Sequence, residues 1–182
     1  MKDLEVRLVS ELMKNSRRSD RELSKVLKVS QPTVSRTIKK LEKEGIIKEY
    51  SMIPDFKRLG YQIMAITFFG KSEPEKEKER GELRKAAQEM EKKSPQANLM
   101  VVNGIGLDKG RVALNLYRDY SSYTEGMNII KNLPHIHADE VESFLIDLND
   151  EDNFRMLSMA AAARHVEASA KGRKEEYTNK PH

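Results

Sequence analysis

The residues best equipped for chemistry are concentrated between Arg17 and Lys43. Ser30, Gln31, Thr33, Ser35, Arg36, Lys39 and Lys40 fall within eleven positions that read as a helix. Each helical residue advances about 100° around the axis. With Val34, Ile38 and Leu41 turned inward, Pro32, Arg36, Lys39 and Lys43 point directly away from the core. Thr33, Ser35 and Lys40 flank that outward face, and Gln31 lies at its N-terminal edge. No acid interrupts it before Glu42. These are the types that read a DNA duplex. Glutamine can bond both edge groups of adenine, arginine can grip O6 and N7 of guanine, and serine or threonine can bond a base or a phosphate. Arg17 and Arg18, just ahead of the preceding helix, are placed to hold phosphates and set register.

A surface of this kind needs a scaffold, and the flanking sequence supplies its signals. Leu4, Leu8 and Leu12, with Val9 and Met13, give an amphipathic first helix that stops near Asn15-Ser16. Ser19-Asp20-Arg21-Glu22 has the capping-box pattern, in which Ser and Glu each bond a free backbone N–H at a helix start. Leu23, Val26 and Leu27 form the stripe of the short second helix, and a tight break follows at Lys28-Val29. Ser30 is the next N-cap, Pro32 sits in the first turn, and Gly45 falls where a left-handed cap ends the third helix. Ile46 to Tyr50 and Met52-Ile53 then read as a short hairpin. Two helices joined by a tight turn and followed by a small hairpin describe a winged helix-turn-helix.

Beyond Tyr61 the pattern changes. Tyr61–Phe69 is a strand, Glu73–Lys93 a charged helix, Leu99–Val102 a strand, and Gly104–Gly110 a glycine-rich turn. Val112, Leu114 and Leu116 mark a third strand, Tyr123–Leu133 a helix ending at Pro134, and Val141–Leu148 a fourth strand. The order β-α-β-β-α-β is the ferredoxin-like split arrangement. Residues 151–171 read as an Ala-rich helix with Phe154, Leu157 and Ala161 on one face, and the last dozen residues as disordered. The predicted class is therefore α+β: a winged helix-turn-helix over residues 1–60, a ferredoxin-like βαββαβ regulatory domain over 61–150, and a helical extension and tail over 151–182.

Composition sets the bounds. The chain has 182 residues, 34% charged and 38% hydrophobic, with no cysteine, which excludes disulfides, thiolate metal sites and cysteine nucleophiles. No apolar run approaches the roughly 18 residues of a membrane span, and the N-terminus lacks the apolar core of a signal peptide, so a cytoplasmic address is expected. Residues 1–60 hold 15 Lys+Arg against 9 Asp+Glu, while the rest of the chain is slightly acidic. Such a split is the footprint of a protein that meets a polyanion with one end.

Other signals are weak. Gly104, Gly106 and Gly110 follow a strand but precede another strand, whereas a phosphate-binding loop opens a helix. His135 and His137 near Asp139 and Glu140 lack a third ligand at fixed spacing. The acids of residues 73–91 alternate with bases as on a solvated helix face, and Met156, Met159 and Phe154 read as helix packing. No metal, cofactor or catalytic constellation is expected, and the chain does not read as an enzyme. Single-stranded RNA binding would call for exposed aromatic platforms, and the chain has no Trp and 6% aromatic residues.

The segment RRSDRELSKVLKVSQPTVSRTIKKLEKEGIIKEYSMIPDFKRLGY, Arg17 to Tyr61, resembles the Lrp/AsnC, or feast/famine, regulators of bacteria and archaea. A looser resemblance covers Val112 to Ile146, including Asn132-Leu133-Pro134. The resemblance implies a cytoplasmic transcriptional regulator: a homodimer, assembling further to tetramers or octamers, that binds palindromic double-stranded DNA. It also implies an amino-acid effector near the turn between the second and third strands, where Gly104, Gly106 and Asp108 fall. The family's Gly-x-x-Asp spacing is absent there and the turn reads as longer. A dimer through the second domain would set two recognition helices roughly 34 Å apart. The alternative reading is a small-molecule sensing or protein-interaction module with only non-specific DNA affinity.

Overall fold

Short-range capping starts and stops the first three helices. The computed structural model describes residues 1–71, 77–92, 97–153 and 157–178. Helix α1 spans Asp3–Lys14, α2 Asp20–Leu27 and α3 Gln31–Lys43. The Ser19 hydroxyl accepts the backbone N–H of Glu22 at 3.3 Å, and the Ser19 N–H donates to the Glu22 carboxylate at 2.8 Å, closing the predicted capping box. Ser30 caps α3 by accepting the N–H of Thr33 at 3.3 Å. At the far end Gly45 takes φ +68°. Its N–H bonds the Glu42 carbonyl at 3.0 Å and that of Ile46 reaches Leu41 at 2.9 Å, which satisfies carbonyls the helix leaves open.

Leu8, Leu12, Leu23, Leu27, Val34 and Leu41 form one buried cluster, with Ile38 packed against it. Val26, expected in the buried stripe of α2, is 46% exposed. An eight-residue helix has room for about two inward turns, and Leu23 and Leu27 occupy them. The hairpin expected after Gly45 does not form within one chain. Residues 46–53 carry no ladder, and Ile46, Tyr50, Met52 and Ile53 stay exposed. Two very short strands ending at Pro54 have no apolar cover of their own, and isolated hairpins are marginal. Tyr50 is instead held by its hydroxyl donating to Glu42 at 2.9 Å.

The predicted βαββαβ order is present in the second unit. Strand β1 is Ile63–Lys71, α4 Glu77–Glu91, β2 Ala97–Gly106, β3 Lys109–Tyr117, α5 Tyr120–Lys131 and β4 Glu142–Asp147. The sheet runs β2-β3-β1-β4 and every pairing is antiparallel. Phe69 and Ala113 on one sheet face pack with Leu83 of α4 and Met127 and Ile130 of α5. Leu116 and Met64 on the opposite face pack with Leu148 and half-buried Phe56 and Tyr61.

The turn between β2 and β3 is shorter than the sequence suggests. Gly106 pairs with Lys109, leaving two loop residues, and Gly104 lies within β2. Leu107 and Asp108 have φ of 52° and 55°. Positive φ at both central residues is the conformation that suits a two-residue hairpin and favours Asn-Gly. Leucine is strained there. Replacing Leu107-Asp108 by Asn-Gly is therefore expected to raise stability by about 1 kcal/mol, read as a higher denaturant midpoint at constant slope.

The chain divides after Ile53 rather than at residue 60, and its carboxy-terminal stretch does not stand apart. Residues Met1–Ile53 group with the stretch from Asn153, and Pro54–Asp152 form the second unit. Helix α6, Met159–Thr178, lies along α1. It extends past residue 171, where the sequence suggests disorder. Ser10 and Ala163, both fully buried, meet where the Ser10 hydroxyl donates to the Ala163 carbonyl at 3.1 Å. Lys14 bridges Glu11 at 2.7 Å and Glu167 at 3.0 Å. Of the expected α6 face, Ala161 is half-buried and Leu157 exposed, while Phe154 and Met156 lie outside the described residues. Among the described residues no helix is long and apolar enough to cross a membrane.

Candidate nucleic-acid interface

The sequence-predicted surface separates into an exposed part and a part committed to the scaffold. Gln31, Arg36, Lys39 and Lys43 are exposed on α3, Ser30 is exposed at its cap, and Arg17 is exposed ahead of α2. Thr33 and Ser35 are half-buried. The Ser30 and Thr33 hydroxyls are 2.8 Å apart, so both also serve the cap. Arg36 folds back along its helix, its Nε donating to the Pro32 carbonyl at 3.2 Å. That places its guanidinium toward the N-terminal end of α3. The first turn of α3 contains no acid, so the partial positive charge of the helix start adds to the side-chain cations.

Lys40 and Arg18 have other work. The Lys40 ammonium donates to buried Glu5 of α1 at 2.6 Å and lies 3.6 Å from Glu44. Arg18 pairs with Glu11, a buried carboxylate that also receives Lys14. Both cations pair with acids of α1, Lys40 from α3 and Arg18 from the turn ahead of α2. Sequence reasoning missed these partners, since nothing local marks Glu5 or Glu11 as buried. It also passed over Lys28, an exposed cation in the inter-helix turn at φ 57°. Its sign was available: a tight turn without glycine needs some residue to adopt the left-handed conformation.

The Glu5–Lys40 pair makes a pH prediction. The hydrogen bond from Lys40, then that from the Lys2 backbone N–H, holds the Glu5 carboxyl below its ordinary 4.5. The same contact pushes Lys40 up from 10.5. A depressed carboxylate stabilises the fold fully above its unfolded pKa, and that contribution fades as pH falls through the lower folded value. Lys40 acts oppositely, losing its contribution as pH rises through its raised value. Urea unfolding of Glu5→Gln is expected to show a shallower loss of stability between pH 5 and 3 than the parent.

At the other candidate site, Gly104, Gly106 and Asp108 lie together at the exposed end of the β2–β3 hairpin beside Ile105 and Leu107, which are 96% and 72% exposed. A Cβ built on Gly104 or Gly106 meets nothing within 4 Å, so neither glycine is required by crowding within the chain. His135 Nε2 lies 2.9 Å from Glu82 of α4.

Residues 1–48 match the family of winged helix-turn-helix DNA-binding domains. Over 63 residues the chain is 40% identical to the HTH-type transcriptional regulator LrpC of Bacillus subtilis, an alignment covering 35% of this chain and 44% of LrpC. The chain thus matches less than half the length of that curated relative. The fold extends further. The crystal structure of an uncharacterised HTH-type transcriptional regulator of Pyrococcus horikoshii superposes with a TM-score of 0.65 at 26% identity, covering 86% of this chain and 98% of that one. AsnC of E. coli shares the fold with a TM-score of 0.64 at 18% identity, over 86% and 97% of the two chains. In sequence the first third of the chain is similar to Lrp-type regulators, and in fold the chain is similar to AsnC. A Neisseria meningitidis regulator solved as a complex with L-Met has the same fold, with a TM-score of 0.70 at 14% identity over 87% and 95% of the chains. Within the matched winged helix-turn-helix region, α3 is the second helix of the helix-turn-helix.

Proposed function

We propose that this chain is a sequence-specific, double-stranded-DNA-binding transcriptional regulator acting as a homodimer or larger assembly. The observation that carries the reading is the exposed face of α3, on which Gln31, Arg36, Lys39 and Lys43 stand outward from a capped and well-packed scaffold. Gln31 and Arg36 read base edges, and Ser30, Thr33, Ser35, Lys39 and Arg17 contribute base or phosphate contacts. Arg18 and Lys40 act through the scaffold, by fixing α2 and α3 on α1.

A regulator that reads a palindrome needs a two-fold assembly. Edge strand β2 exposes Leu99, Met100, Val101 and Val102, and β4 exposes Phe144 at 65%. Apolar edges of this kind are a liability in a free sheet, and a second copy of the chain would cover them. Amino-acid modulation is supported by the Neisseria meningitidis regulator bound to L-Met, with the β2–β3 hairpin end at Gly104, Gly106 and Asp108 as its place.

Selection of bound fragments from a random duplex pool at two salt concentrations tests the reading. A recovered palindrome preferred over random DNA by at least about a thousandfold supports it. Binding that is salt-sensitive but sequence-blind makes the basic face a non-specific polyanion surface and leaves the sensing domain as the functional part.

A further inference from the structure

Helices α1 and α6 run in the same direction and in step. Ser10 meets Ala163 and, one turn further along each helix, Lys14 meets Glu167, so both contacts join residues 153 positions apart. Ser10 and Ala163 are fully buried, and their packing fixes where the Glu167 carboxylate stands.

Around Lys14 the fold assembles four charges from three parts of the chain. Glu11 of α1 is buried, and its two carboxylate oxygens take different cations. Oε1 receives the Lys14 ammonium at 2.7 Å, and Oε2 receives a guanidinium N–H of Arg18, in the turn ahead of α2. Lys14 also lies 3.0 Å from Glu167. Glu11, Lys14 and Arg18 together carry one surplus positive charge, and Glu167 brings the group to neutrality. A buried carboxylate must keep a cation, because an unpaired charge there is strongly destabilising. Two cations on one carboxylate also repel each other, and more so where water is partly excluded, as it is around half-buried Lys14 and Arg18.

The two cations on Glu11 are not equivalent. Lys14 stands three positions after Glu11 on the same helix, so the helix itself keeps the pair together. Arg18 reaches Glu11 from the turn, beside exposed Arg17, and is the one able to swing outward to a phosphate. While Glu167 draws on Lys14, Glu11 relies on Arg18. Without the Glu167 charge, Lys14 neutralises Glu11 alone and Arg18 becomes surplus. We infer that Glu167 is a positioning residue: by sharing Lys14 it keeps Arg18 on Glu11 and off the duplex backbone, so that α6 sets how many phosphates the helix-turn-helix holds. The inference rests on the proposed DNA binding, and it concerns affinity for any duplex rather than the choice of sequence.

The test compares the full chain with Glu167→Gln, which keeps the side-chain size and the Ser10–Ala163 packing, on a random-sequence duplex across a salt series. Glu167→Gln is expected to bind about threefold tighter at low salt, with the slope of log affinity against log salt steeper by about one. In an Arg18→Gln background the same substitution should change neither quantity. A second readout needs neither DNA nor the Arg18 variant. In nitrogen-15 spectra of the arginine side chains, the Arg18 guanidinium should exchange with water faster in Glu167→Gln than in the parent. An unchanged salt slope or an unchanged Arg18 signal would overturn the inference. So would a gain that persists in Arg18→Gln, which would make Glu167 a long-range charge only. Each of these leaves the DNA-binding reading standing, whereas a parent chain that binds no duplex overturns both.

Discussion

Alanine at Arg36 is expected to weaken binding to a selected operator by about 1–3 kcal/mol, roughly 5- to 150-fold, while affinity for random duplex falls far less. Arg36 is exposed, and its Nε donates to the Pro32 carbonyl of its own helix. Removing it should therefore leave the scaffold undisturbed. Its guanidinium sits near the start of α3, the end of a recognition helix that contacts base edges. Lys39→Ala should behave differently, weakening all sequences alike and lowering the salt slope by about one. Arg18→Ala supplies the contrast. It leaves buried Glu11 with Lys14 alone, so its loss should appear first in thermal stability. Equal losses for Arg36→Ala on operator and random DNA would make Arg36 a phosphate contact. An unchanged melting temperature for Arg18→Ala would return that residue to the DNA-contacting set.

Ending the chain at Asp152 is expected to destabilise the helix-turn-helix while leaving the sheet unit intact. The deletion uncovers Ser10, takes Glu167 from Lys14, and removes the helix lying along α1. Helix α1 also carries Leu8 and Leu12 of the core and the carboxylates that hold α2 and α3, so loosening it loosens the reading head. A single substitution isolates the contact. Ala163 is fully buried where α6 touches Ser10, and a phenylalanine there has no room. Ala163→Phe should cost about 1–3 kcal/mol through overpacking. In a unit of this size each kcal/mol lowers the melting temperature by about 4–8 °C. Calorimetry of the full chain should show one transition move and the other stay. A truncated chain that melts and binds DNA like the parent would mean that α6 is dispensable to the domain it packs on.

The features legible in the sequence are those whose physics is local. Ser19 and Glu22, Ser30 and Thr33, and Gly45 after Leu41 interact across three to five positions, so the chain needs no tertiary partner to specify them. The stripe of Val34, Ile38 and Leu41 and the alternation of Val112, Leu114 and Leu116 record burial directly as periodicity, and they carried both the helix-turn-helix and the βαββαβ order.

Tertiary structure decided what depends on distant partners. Lys40 meets Glu5 across 35 positions and Ser10 meets Ala163 across 153, and neither pairing leaves a periodic trace. Cations that look alike on a helical wheel thereby differ in the fold, Lys40 bonding an acid of α1 and Arg36 a carbonyl of its own helix. The division depends on which acid the fold buries beside each one. The turn at Leu107-Asp108 adopts a conformation its residues do not favour because the β2–β3 register imposes it. Local free energies are written residue by residue. Charge pairing and packing volume are properties of pairs, and only the fold chooses the pairs.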